Sequence, residues 1–320
     1  MAKKLTIIDI ANLAGVGKST VSRVLNNDPN VKAATREKVQ AVIAEHAFEP
    51  SKSAQAMRGG KTKLVGVIIA NLSSNSENSA VGGILETLYG QGFDVAVMES
   101  RFDDSKVAEH LAVLKKRDAE GVILFGFSGC NYDNLKSFRQ KAVVMAVTHP
   151  DYHSVSYDNQ GAISQLLDHL YGIGHRHIAY LGVDASDKTT GEERQVAYLA
   201  FCQAHALSPC FTTAPIELEA AYERVDDLLD DDTDAVVCAS DTLALGVCKR
   251  LADLGRTDIQ VAGVGNNPML RFMFPESTTV ELGFRDAGKK AADQLISSIS
   301  NPSATEVSHQ VQDCRLIAAK

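Results

Sequence analysis

A chain of 320 residues, 45% hydrophobic and 22% charged, is long enough for two or three domains and has the composition of an ordinary globular protein rather than a disordered or fibrous one. Its net charge of −8 is uneven: residues 1–63 hold eleven Lys and Arg against five Asp and Glu, which is +6 and leaves −14 for the rest. No apolar run approaches the ~20 residues that span a bilayer, and MAKKLTIID lacks the core of a signal peptide, so a cytoplasmic protein with a polyanionic partner at its basic end is expected.

In chain order, Thr6 with Asp9 three residues on has the form of a capping box, and Ile7, Ile10, Ala11 and Ala14 follow at helical spacing. Gly15 interrupts that helix, and a second periodic run places Val21, Val24 and Leu25 on one face. Lys18, Ser19, Ser22 and Arg23 fall on the other. Two short helices joined by a glycine turn form a helix-turn-helix, whose second helix reads base edges with its N-terminal residues. The GVGKST run imitates a phosphate-binding loop, yet that motif needs glycine at position 12, where Asn12 stands, and an apolar strand before it. Thr35 is the expected cap of a third helix, Arg36 to His46, with Val39, Val42 and Ile43 inward. Pro50 ends this unit, and SKSAQAM (51–57) is a short helix in need of a partner.

From Leu64 short apolar strands are expected at 64–70, 94–99, 121–127 and 142–147, then at 177–183, 234–240 and 259–265. Helices are expected at Val107 to Arg117, Gly161 to Leu170, Glu192 to His205 and Thr242 to Leu254. Continuous apolar strands alternating with helices imply parallel sheets covered on both faces, here two of them in two similar lobes. The ligand crevice of such a fold lies beyond the carboxyl ends of the strands, so the cleft between the lobes is the expected pocket. Six cysteines show no metal-ligand spacing and are read as structural; His175 and His177 lack a third ligand, and no metal or cofactor is expected.

The run from Thr6 to Gly60 resembles the headpiece of the lactose-repressor family of bacterial transcription regulators, and GHRHIAYLGV, CASDTLALG and VAGVGNN extend the resemblance over nearly the whole chain. It implies an α-helical helix-turn-helix headpiece (1–49), a hinge helix and linker (50–63), and an α/β two-lobe core like a periplasmic binding protein (64–320) for effector binding and dimerisation. The implied partners are operator DNA, a sugar or sugar-phosphate effector, and a second copy of the chain. Lys18, Ser19, Thr20, Ser22, Arg23 and Asn26 are the expected DNA contacts, with Met57 as the hinge residue wedged into the minor groove. Lys32, Arg36 and Arg58 are expected to hold phosphates. The end at Lys320 without heptads implies a dimer rather than a coiled-coil tetramer.

The candidate effector residues are Asn71, Ser73 and Glu77 after the first strand, Gly126 and Phe127 after the third, and Val147 after the fourth. In the second lobe they are Asp187, Lys188, Thr189, Thr190 and Arg194, with Asp241, Thr242 and Phe284. Amides, hydroxyls, carboxylates and an arginine bind sugar hydroxyls, and Phe127 or Phe284 offers a ring face; Asp241, just before a helix, is equally suited to capping. SENSAVGGILETLYGQGFDVAVMES, LKKRDAEGVILFGFSG and TTGEERQVAYLAFCQAHAL are similar to the trehalose-responsive branch of the family. That likeness implies trehalose 6-phosphate, held by arginines at the ends of the first and fourth strands. Asn71 and Val147 stand there instead, which leaves either a relocated phosphate site or a neutral disaccharide. The rival readings are a sugar-transport receptor, opposed by the basic headpiece, and a sugar-processing enzyme using Asp241 with Glu77.

Overall fold

The computed structural model describes residues 5–25, 28–46, 48, 63–303 and 306–319. The chain divides into two compact units, residues 1–62 and 63–320.

In the first unit α1 (Ile7–Leu13) opens with a complete capping box: the Thr6 amide donates to Asp9 Oδ2 at 2.7 Å, and the Asp9 amide donates to Thr6 Oγ1 at 3.4 Å. Gly15, at φ 57°, turns the chain into α2 (Lys18–Leu25). Helix α3 spans Ala33–Glu45 and so begins three residues before the expected Arg36. The reason is local: the Lys32 carbonyl accepts from both the Thr35 and Arg36 amides at 3.0 Å, which puts Thr35 inside the first turn rather than at the cap. Ile10, Ala11, Ala14, Val21, Val24 and Val39 form one buried core for the three helices. The expected hinge helix (51–57) lies outside the described residues.

The second unit contains two six-stranded sheets. The first has the order β11-β5-β4-β3-β1-β2 and is parallel throughout: β1 Leu64–Ile69, β2 Asp94–Glu99, β3 Gly121–Phe125, β4 Ala142–Ala146, β5 His153–Tyr157 and β11 His309–Gln312. The second has the order β12-β10-β9-β8-β6-β7, from β6 Ile178–Gly182, β7 Cys210–Thr213, β8 Ala235–Cys238, β9 Gln260–Val264, β10 Thr278–Glu281 and β12 Arg315–Ile317, with β12 antiparallel to β10. Strands β1 and β3 are buried along their whole length, as their unbroken apolar sequences require of strands covered on both faces.

Helices α4 (Asn75–Gly90), α5 (Asp104–Lys116) and α11 (Phe284–Ser300) cover the first sheet. Helices α6 (Asn159–Gly172), α7 (Arg194–Ala204), α8 (Leu218–Arg224), α9 (Asp241–Leu254) and α10 (Pro268–Met273) belong to the second. The contact of α4 with α11 depends on small residues. A Cβ on Gly83 would fall on the Arg285 carbonyl, and one on Gly288 would fall on the Ala80 carbonyl, so each backbone lies against the other.

The chain passes between the lobes three times: from β5 to α6, from β10 to α11, and from β11 to β12. The first and third crossings are tied together where the Asp158 amide donates to the Gln312 carbonyl at 3.2 Å and Gln165 Nε2, on α6, donates to Cys314 Sγ at 3.0 Å. All six cysteines are free. Among the described residues no cluster of His, Cys, Asp and Glu could hold a metal, and no helix is long and apolar enough to cross a membrane. The GHRH turn is held instead by Asp234, which accepts from the Arg176 amide at 2.8 Å and the His177 amide at 3.2 Å and lies 3.4 Å from His175 Nδ1.

Candidate nucleic-acid interface and effector cleft

Helix α2 buries Val21 and Val24 and leaves Lys18, Ser19 and Arg23 exposed on the opposite side, with Thr20 and Ser22 half-buried between. The Arg23 guanidinium is 3.9 Å from Asp28 and mostly exposed, a weak pairing that a base edge can replace. Asp28 is held below the usual carboxylate range chiefly by the Asn30 amide that donates to it, at 2.9 Å. Lys32 is exposed, while Arg36 donates to the Asp28 carbonyl at 2.6 Å and so braces the turn between α2 and α3. Asn26, Met57 and Arg58 lie outside the described residues.

In the two-lobe unit the expected effector residues gather at the carboxyl ends of the strands. On the first lobe, Asn71 Oδ1 accepts from the Ser73 amide at 2.8 Å and shapes the loop before α4. Glu77 turns back beneath this loop and accepts from the Ala70 and Asn71 amides at 2.8 and 3.2 Å. Burial raises its pKa above the usual value, against those two hydrogen bonds. Gly126, Phe127 and Val147 form one patch with Tyr132: a Cβ on Gly126 would run into Val147 and the Tyr132 hydroxyl, so only glycine lets these strand ends meet. Phe127 also meets Phe102 edge-on at 5.8 Å.

On the second lobe Asp187 caps a wide helical turn over Lys188–Glu193, its Oδ1 accepting from the Thr189 and Thr190 amides at 3.0 and 2.8 Å. The Lys188 amide donates to Ser128 Oγ on the first lobe at 3.0 Å, which joins the two lips of the cleft.

Arg194, at the start of α7, is buried. Its Nε and Nη2 donate to Asn159 Oδ1 at 3.0 and 2.8 Å, and its Nη1 donates to the Ala239 carbonyl at the end of β8. Burial lowers its pKa, and Tyr180, Asp187, Glu193 and Asp241 act the other way. Asn159 also donates to Glu193 at 2.8 Å, so the guanidinium sits in a polar network spanning α6 and α7.

Asp241 begins α9, capped by Ser240 rather than acting as the cap. Only 3% exposed, it accepts from the Asn267 amide at 2.6 Å and from the Thr279 hydroxyl at 2.8 and 3.0 Å; both oxygens are engaged within the lobe. Thr242 follows half-buried in the first turn. Phe284 begins α11 at a crossing and meets Tyr157, the last residue of β5, edge-on at 5.1 Å.

Three site neighbours had no signal in the sequence pattern. Tyr157 ends a polar strand, Asn159 sits in a helix start like many others, and Arg101 follows β2 in a loop. Burial pushes the Tyr157 hydroxyl well above its usual value, and the nearby Glu77 carboxylate adds to the effect. Glu77 and Asp241 thus have separate partners, backbone amides of the first lobe for one and Asn267 and Thr279 of the second for the other.

Comparison with known proteins agrees with both halves of this architecture. Residues 6–51 match the model for bacterial regulatory proteins of the lacI family, and residues 167–318 match that for a periplasmic binding protein-like domain. The chain is 48% identical over 303 residues to the transcriptional regulator TreR of Escherichia coli K12, covering 95% of this chain and 96% of that one. It is 30% identical to the maltose regulon regulatory protein MalI of the same organism, over 100% of this chain and 99% of that one. A solved structure described as the trehalose repressor from Escherichia coli superposes with a TM-score of 0.78 at 42% identity, covering 80% of this chain and all of that chain. A lac repressor dimer bound to operator superposes at 0.88 over 99% of both chains with 23% identity, which speaks for the fold alone. With identity of this level along almost its entire length, the chain belongs to the lactose-repressor (lacI) family of bacterial regulatory proteins.

Proposed function

We propose that this protein is a sequence-specific, homodimeric DNA-binding repressor of genes for trehalose uptake and metabolism, controlled by trehalose or trehalose 6-phosphate in the cleft between its lobes. The observation that carries the reading is the 42% identity with the trehalose repressor over 80% of this chain, joined to an α2 face that leaves Lys18, Ser19 and Arg23 exposed on a basic headpiece. Lys18, Ser19, Thr20, Ser22, Arg23 and Asn26 would contact the major groove, and Met57 the minor groove, with two copies matching a palindromic operator.

The effector would lie against Asn71, Ser73, Gly126, Phe127 and Val147 on one side and Asp187, Lys188, Thr189, Thr190, Arg194 and Thr242 on the other, with Phe284 beside the crossings. Glu77 and Asp241 would contribute by holding the loops that carry these contacts. Ligand binding is read as a change in the relative stability of two lobe arrangements, one of which suits operator DNA, since affinity without such a difference shifts nothing. Regulation rather than turnover, and action inside the cell, belong to the same reading.

The test is fluorescence anisotropy of a labelled palindrome from upstream of the protein's own and adjacent genes, with and without each sugar, at fixed salt. Binding well above that to scrambled DNA, and altered by trehalose or its 6-phosphate, supports the proposal. Binding no tighter than to random DNA refutes it.

A further inference from the structure

Among the described residues, the cationic side chains that follow strand ends include Lys188 and Arg194 in the second lobe and Arg101, after β2, in the first. Arg194 is already held by Asn159 and Ala239. Arg101 is different. It and Phe102 are consecutive non-glycine residues in the left-handed region, at φ 55° and 58°. Side-chain-bearing residues keep that conformation only where their surroundings enforce it, and such residues gather at ligand sites.

Here the enforcement is visible. The Ser100 and Arg101 amides donate to the Ile69 and Ala70 carbonyls at 2.8 and 2.9 Å, and the Phe102 ring meets Phe127. The bend carries Arg101 across to the loop after β1. Its Nε donates to Glu99 Oε2 at 2.9 Å, and the other Glu99 oxygen accepts from the Leu72 amide at 2.8 Å. One carboxylate thus separates the guanidinium from the loop of Asn71 and Ser73.

The pairing with Glu99 occupies only the Nε edge of the fork. Nη1 and Nη2 have no hydrogen-bond partner among the described residues, and the side chain is 81% exposed. A guanidinium with its terminal N–H groups free grips a phosphate in two parallel hydrogen bonds, which a lysine or an amide does not reproduce. The neighbouring positions do not compete for that task, since Asn71 Oδ1 is engaged by Ser73 and Val147 is packed among apolar side chains. Glu77 and Glu99 both face the loop. An anion therefore enters from the Nη side, away from Glu99, while Glu77 is occupied beneath the loop by two backbone amides.

We propose that Arg101 selects a phosphate monoester on the first-lobe end of a disaccharide effector, which makes the phosphorylated sugar the preferred ligand of this chain. The assignment rests on the effector reading above, and it gives the bend after β2 a purpose.

Titration calorimetry of the full chain with trehalose 6-phosphate and with trehalose tests it, using the wild type, Arg101→Gln and Arg101→Lys, each first shown by thermal unfolding to be folded. The wild type should bind the phosphorylated sugar at least tenfold more tightly than trehalose. Arg101→Gln should weaken the phosphorylated sugar by about tenfold to a hundredfold and leave trehalose within about twofold, with Arg101→Lys between. Equal wild-type affinity for the two sugars overturns the proposal, and so does an equal loss of both in Arg101→Gln. Binding of neither sugar by the wild type removes the effector reading and this assignment together, whereas trehalose binding without a phosphate preference removes this assignment alone.

Discussion

Replacing Asp241 with asparagine isolates the energy of one buried charge. Burial pushes this carboxyl up to about 6, against the hydrogen bonds from Asn267 and Thr279 and the attraction of Arg194. A folded-state value above the unfolded one means that the native protein binds the proton more tightly, so this group's contribution to stability falls as pH rises through the interval between the two values. The interval from 3.8 to about 6 corresponds to about 3 kcal/mol in total. About 1.4 kcal/mol of that is lost between pH 5 and pH 7.5, the remainder falling below pH 5.

Asparagine has no such dependence. Its amide oxygen, standing where Oδ2 does, can still accept from the Asn267 amide and from the Thr279 hydroxyl, but the shorter of the two Thr279 contacts, that to Oδ1 at 2.8 Å, is lost. That loss is worth about 1 kcal/mol. Urea unfolding at one protein concentration should therefore show Asp241→Asn gaining on the wild type by about 1.4 kcal/mol between pH 5 and pH 7.5, whatever the offset at pH 5. A stability difference that stays constant over this range would refute the argument that Asp241 is a desolvated carboxylate.

Arg23→Ala should cost roughly 1 to 3 kcal/mol of discrimination between operator and scrambled DNA; equal affinity for both at wild-type strength would deny Arg23 its base-reading role. Thr6→Ala removes the capping box of α1 and should destabilise the headpiece by about 0.5 to 2 kcal/mol, measured by thermal melting of the headpiece signal, with unit 63–320 unaffected. Gly83→Val places side-chain atoms on the Arg285 carbonyl and should lower the urea midpoint of the two-lobe unit by an amount equivalent to roughly 1 to 3 kcal/mol or more; an unchanged midpoint would mean that α4 and α11 separate freely. Arg194→Met leaves Asn159 Oδ1 and the Ala239 carbonyl without their donor, at about 1 to 3 kcal/mol each, and should abolish the response of operator binding to either sugar. A variant that still responds normally would place the ligand elsewhere.

The strands legible in the sequence are those buried on both faces, such as LVGVII and GVILF, because nothing polar interrupts them. Strand β5, HSVSY, gave no such signal although its first three residues are buried. Its polar groups are satisfied at β11, the last strand to join its sheet: Ser154 Oγ bonds His309 Nδ1 at 2.8 Å, and the amide of Ser308, just before that strand, donates to His153 Nδ1 at 3.0 Å. Strands β11 and β12 are short edge strands, so alternation had little to register, whereas α4 and α11 bury apolar residues at helical spacing, Ala80, Ile84 and Leu88 on one and Ala287, Ala291 and Leu295 on the other. The headpiece was readable because each of its signals is local in sequence, from the Thr6 box to Gly15. The cleft was readable only in part. Arg194 and the strand-end residues follow from topology, but Arg101 depends on a backbone bend and Asn159 on a neighbour 35 residues away.

The threefold crossing between the lobes also constrains how the protein is made. The first sheet takes its edge strand from residues 309–312 and the second takes its own from 315–317. On the ribosome, neither lobe is complete until almost the whole chain has emerged, and the β5 edge of the first sheet waits through the synthesis of more than a hundred residues of the other lobe. An unpaired strand edge of that kind templates wrong partners. Truncation before residue 309 therefore strips both lobes at once, and its expected outcome in the cell is aggregation of the chain rather than a repressor missing one lobe.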